Sequence, residues 1–119
     1  MSGKFCVILT TFGSRVEADS FAGNVVSRCL AACVNIFGPM VSTYWWKGRR
    51  EKSEEFLALA KTSETRVEEL VAELKRMHSY ELPEVTVLKS PEAESTLNGW
   101  CGKHERKSHR RCCAETTNY

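Results

Sequence analysis

Cys33-Val34-Asn35-Ile36-Phe37-Gly38-Pro39-Met40-Val41-Ser42-Thr43-Tyr44-Trp45-Trp46 runs into Lys47-Gly48-Arg49-Arg50-Glu51-Lys52-Ser53 and then Glu54-Glu55-Phe56-Leu57-Ala58-Leu59-Ala60-Lys61-Thr62. This stretch decides the fold. Residues 33–37 and 40–46 are β-branched and aromatic, the composition of strands. Gly38-Pro39 interrupts them. The polar segment 47–53 predicts a hairpin tip, and 54–62 predicts the returning strand. Two long strands stand in succession with no helix between them, so they pair as an antiparallel hairpin. Tyr44, Trp45 and Trp46 are consecutive, and strand side chains alternate faces. At least one of these rings therefore points away from the domain's own core. A long two-stranded arm with exposed aromatics is marginal alone and its edges pair readily with another chain, so self-association is expected.

Upstream, Phe5 to Thr11 is an apolar run of strand length, and Gly13-Ser14 breaks it. Ser14 with Glu17 three residues on has capping-box spacing. Apolar residues at 18, 21, 22, 25, 26, 29, 30 and 33 follow with helical period. Downstream, Ser63 opens a second helix striped by Val67, Leu70, Val71, Leu74 and Met77. Residues 84–88 predict a short buried strand, and residues 92–100 a brief last helix. The order β-α-β-β-α-β is the split βαβ pattern, an α+β ferredoxin-like fold with an extended β2-β3 hairpin. Residues 1–101 form the domain. Residues 102–119 have no apolar period and are expected to be a disordered tail.

Charge is uneven. Residues 1–101 carry 12 Lys+Arg and 13 Asp+Glu, and residues 102–119 carry 5 and 2. A near-neutral body with a basic tail does not describe a dedicated nucleic-acid binder. No apolar run reaches the length of a membrane span. The first residues lack signal-peptide character, which points to the cytoplasm. The six cysteines are read as reduced thiols for the same reason.

Four segments in register resemble the CutA family of divalent-cation tolerance proteins. They are Leu30-Ala31-Ala32-Cys33-Val34-Asn35, Ser42-Thr43-Tyr44-Trp45-Trp46-Lys47-Gly48-Arg49, Leu59-Ala60-Lys61-Thr62 and His78-Ser79-Tyr80-Glu81-Leu82-Pro83-Glu84. The resemblance implies a ferredoxin-like homotrimer that binds copper or another divalent cation. It also implies kinship with PII-type signalling proteins, which bind small ligands between subunits. That kinship opens an alternative: a small-ligand sensor, or a scaffold anchoring another protein, with no physiological metal. The chain departs from the family pattern at three places. Ser79 stands where the family has Pro, Thr10 (with Phe12 nearby) where some members have a Cys tied to copper, and Met77 where some have a second His.

His78 is the metal candidate of the body, since imidazole suits copper and zinc. The competing reading is a helix-end histidine that bonds the last carbonyls. Glu81 and Glu84 flank Pro83, but no nucleophile has an evident base partner, so no enzyme is predicted. Cys29 and Cys33 are spaced i, i+4 and are expected to pack rather than bind metal. Cys101-x2-His104-x4-His109-x2-Cys112 has zinc-type ligands in a reordered pattern; the competing reading is a solvated basic tail with exposed thiols.

Overall fold

Alternation along Phe5–Phe12 sends Cys6, Ile8, Thr10 and Phe12 to one face of the first strand, where all four are buried. That face determines where the helices go. The computed structural model describes residues 5–90. It orders them as β1 (Phe5–Phe12), α1 (Arg15–Ser27), β2 (Cys33–Trp46), β3 (Arg49–Ser63), a 3-10 turn (Glu64–Arg66), α2 (Val67–Met77) and β4 (Thr86–Ser90). The sheet order is β2-β3-β1-β4, and every pairing is antiparallel. Ile8, Phe12, Ala58 and Ala60 of the sheet meet Phe21, Val25, Leu70 and Leu74 of the two helices in one buried cluster. Both helices therefore cover one face. The other face presents Val7, Leu9, Leu57 and Leu59, half-buried, and Leu88, exposed. None of the described helices is long and apolar enough to cross a membrane.

The order of elements is the predicted one, and four details differ. First, the hairpin turn is not residues 47–53. β2 and β3 pair out to Trp46↔Arg49, leaving only Lys47-Gly48 as the turn. Both have positive φ, 53° and 77°, the conformation that fits the twist of a two-residue hairpin. The charges at 49–53 lie on a ladder extending past the rest of the sheet, so they stay solvated as strand residues.

Second, α1 ends at Ser27 rather than running on through residue 33. Cys29 takes φ 60°, its N–H bonds Val26 O, and Leu30 N–H bonds Val25 O. This is a Schellman closure, sealed by the burial of Val25 and Leu30. Cys29 and Cys33 are thus not on one helix face. Among the described residues Cys6 and Cys33 are free thiols.

Third, Ser63 makes no cap bond to the helix backbone, and its hydroxyl meets Thr65 Oγ1 at 3.0 Å. Arg66 is buried instead and donates to Cys29 O, joining the end of α1 to the start of α2. Fourth, the last strand begins two residues later than expected, at Thr86. The predicted helix at 92–100 and the tail at 102–119 lie outside the described residues.

One interhelical contact was not foreseen. Glu73, buried on α2, accepts from Asn24 Nδ2 at 2.5 Å, meets Arg28 Nη1 at 2.9 Å and is clasped by Arg76. The Arg76 hydrogen bonds hold its carboxyl down to about 2, with burial opposing them and Arg28 and Asn24 adding to them.

Candidate functional site at the base of the hairpin

β1 stops at Phe12, opposite Phe56, so β3 from Glu55 outward has no strand on its β1 side. The segment after α2 fills that corner. His78 closes α2 through its N–H to Leu74 O at 3.0 Å, then turns extended. Its ring stacks on Phe12 with centroids 4.4 Å apart and planes 13° from parallel. Nε2 lies 2.6 Å from Thr11 O, so it carries the proton and donates. Nδ1 then holds the lone pair, and it accepts Tyr80 N–H at 3.1 Å. His78 is buried and both ring nitrogens are engaged. A cation at His78 must take Nδ1 from the Tyr80 N–H.

Ser79 contributes the donor that a proline would lack. Its N–H bonds Glu17 Oε2 at 2.8 Å, tying the loop to the first turn of α1. Tyr80 then reaches Glu55, its Oη donating to Oε2 at 2.8 Å. Burial, then the Glu55 hydrogen bond, push the phenol's pKa up, so Tyr80 stays a neutral donor.

The register of β2 decides what else faces this corner. Phe37 pairs with Leu57 and Met40 with Glu55, so β2 spends one residue more than β3 between them. This is a β-bulge. Gly38 sits in it at φ 149°, where a Cβ would lie 2.7 Å from Phe56 Cδ2. The Gly38–Pro39 bond is cis. Arg15 donates to Gly38 O at 3.3 Å and lies over the Phe56 ring at 5.1 Å, fastening the bulge to α1. Beyond the bulge, even-numbered residues of β2 share the face of Glu55 and Leu57. Met40, Ser42, Tyr44 and Trp46 therefore line one wall of a cleft of about 750 Å³, and Tyr80, Glu81, Leu82 and Glu84 line the other. Trp45 and Val41 point to the opposite side, where each is more than 70% exposed, at 73% and 72%.

Placement of the remaining candidates is plain. Thr10 is buried toward the helices, and its hydroxyl has no hydrogen-bond partner among the described residues. Met77 packs at the core margin with its sulfur 3.1 Å from Asn24 Nδ2. Among the described residues no three His, Cys, Asp or Glu side chains gather as a metal-binding group. The zinc-type pattern of the tail lies outside the described residues. Sequence reading missed Glu55 as a site residue. Its signal was available in the turn: a two-residue hairpin fixes the register that places it opposite Met40.

A sequence model of the CutA1 divalent ion tolerance protein family matches residues 6–104. The chain belongs to this family. It is 42% identical over 76 residues to the divalent-cation tolerance protein CutA of Archaeoglobus fulgidus, covering 64% of this chain and 74% of that one. It is 37% identical over 82 residues, or 69% of its length, to the chloroplastic protein CutA 1 of rice, Oryza sativa. There it spans less than half of the relative, 46%. The crystal structure of rice CutA1 superposes with a TM-score of 0.79 at 31% identity, covering 90% of this chain and 98% of that chain. The ferredoxin-like CutA1 architecture is therefore the fold of this protein.

Proposed function

We propose that the protein is a non-enzymatic homotrimer that binds copper or another divalent cation weakly and contributes to divalent-cation tolerance. The observation that carries the assembly is the hairpin: in a chain of this family, Val41 and Trp45, on the side away from the cleft, stand 72% and 73% exposed. An isolated arm of this kind gains by pairing with copies of itself. Support for a non-enzymatic role is that His78, the single imidazole among the described residues, bonds backbone groups rather than a nucleophile. The metal reading runs through His78, with Nδ1 exchanging the Tyr80 N–H for the ion. Light scattering on a gel-filtration peak should give three times 13.5 kDa, and a monomer at micromolar concentration would sink the assembly. Copper titration of wild type and His78→Gln tests the metal: unchanged affinity and stoichiometry rule His78 out.

A second reading is a small-ligand sensor, or a protein-anchoring scaffold, with no physiological metal. Two observations favour it: both His78 nitrogens are already engaged, and a cleft of about 750 Å³ opens beside them. That volume is within the range of small-molecule sites.

A further inference from the structure

We infer that the cleft between the hairpin and the Tyr80 loop is a site for a small organic ammonium ion; this rests on the small-ligand reading above. Glu55 is the cleft's buried carboxylate. The residue is 8% exposed and stands on the cleft wall. Oε2 takes the Tyr80 hydroxyl, while Oε1 meets no donor among the described residues. No described Lys, Arg or His nitrogen lies within ion-pair distance of it. The side chain is mostly buried, yet Oε1 is not among the fully enclosed atoms, so this oxygen opens to the cleft, where a cation would add a charged partner to one neutral donor.

Around Glu55 the cleft has the features that select an organic cation over a bare metal ion. Tyr44 and Trp46 bring two aromatic rings to the same wall, and ring faces attract ammonium groups; Lys47 Nζ already lies 5.5 Å from the Trp46 centroid, which leaves the Tyr44 ring for a ligand. Glu81 and Glu84 add negative charge at the opposite wall, while Leu57 and Leu82 supply apolar surface for a carbon skeleton. A hard divalent ion would seek several converging oxygens, and no group of three such ligands forms among the described residues. Tyr80 is a positioning residue: its hydroxyl fixes Oε2 and leaves Oε1 to the ligand.

The test is calorimetric titration of the full chain with phenethylammonium, with phenethyl alcohol as the neutral isostere and Cu2+ in a parallel arm. Saturable binding of the amine and none of the alcohol is expected. Glu55→Gln keeps an acceptor for Tyr80 and removes the charge, and should weaken the amine roughly tenfold or more. Glu81→Gln/Glu84→Gln alters only exposed side chains, so it cannot fail through misfolding; it should weaken the amine about two- to fivefold. Equal binding of alcohol and amine overturns the inference but leaves a small-ligand cleft. Binding of neither probe overturns both. Copper binding lost in Glu55→Gln without any amine binding makes the cleft a metal site. A fall in assembly mass in Glu55→Gln without amine binding means a second copy's cation fills it. Either result overturns the inference.

Discussion

The two halves of the molecule treat their polar groups differently. In the helix-covered half the ionisable candidates are engaged: His78 spends both nitrogens, and Glu73 has three partners, while the Thr10 hydroxyl alone of the candidates has none among the described residues. In the hairpin half, Trp45 and Val41 lie open, and Glu55 is buried with one oxygen unmet among the described residues. The first half can be understood from the single chain. The second leaves apolar side chains and a carboxylate oxygen without a partner among the described residues, and association and binding are tested there.

The largest effect expected lies in the satisfied half. Phe12→Ala removes a fully buried ring that packs on Phe21 and stacks on His78. It should cost about 3–5 kcal/mol in denaturant unfolding. A cost near that of a surface change would mean the two halves do not differ in this way. Trp45 is 73% exposed on the side away from the cleft, and Trp45→Ala probes the other half; it should act on mass rather than on the fold. We expect the scattering mass to fall at a given concentration, by a loss of about 2–4 kcal/mol at a well-buried contact, while far-UV circular dichroism keeps its helical signal. Retention of mass would put the assembly contact elsewhere.

Glu73→Gln returns to the helices. Arg28 and Arg76 are partly exposed, at 40% and 67% of their side chains, so solvent discounts the pair. A loss of about 2 kcal/mol at neutral pH is expected. The sign follows from a folded carboxyl held at about 2, below its ordinary value of 4.5. Its contribution is whole above pH 4.5 and is lost as pH falls toward 2. Urea midpoints across that window should drop in wild type and flatten in Glu73→Gln; parallel curves would show that the clamp carries no acid sensitivity. The smallest effect should come from Ser14→Ala. Ser14 accepts the Glu17 N–H at 3.1 Å, and losing that cap costs about 1 kcal/mol in thermal unfolding.

The sequence was most legible where the physics is periodic and local. The alternation in β1, the stripe of α2 and the Ser14 cap all appear where their patterns place them. It was less legible where a local pattern is overruled. Cys29 and Leu30 continue the helical period of α1, yet Cys29 turns left-handed because Val25 and Leu30 gain burial by closing the helix there. The polar residues 49–53 read as a loop because side-chain polarity says nothing about backbone pairing on an exposed ladder. The state of His78 was beyond reach, since Thr11 O lies 67 positions away in sequence. Ser79 was a partial success: the gain of a donor was evident, its acceptor Glu17 was not.

The bulge at Gly38-Pro39 makes β2 a message that can be read in two frames. Side chains on a strand report to alternate faces, so a shift of one position exchanges everything one side displays for everything on the other. Read with the extra residue, the cleft sees Met40, Ser42, Tyr44 and Trp46. Read without it, the same wall would show Val41 and Trp45. A single-residue deletion between Phe37 and Met40 would therefore alter no side chain in the arm, yet exchange its two surfaces. In this family member, the identity of the binding wall is held by a count of residues as much as by their kind.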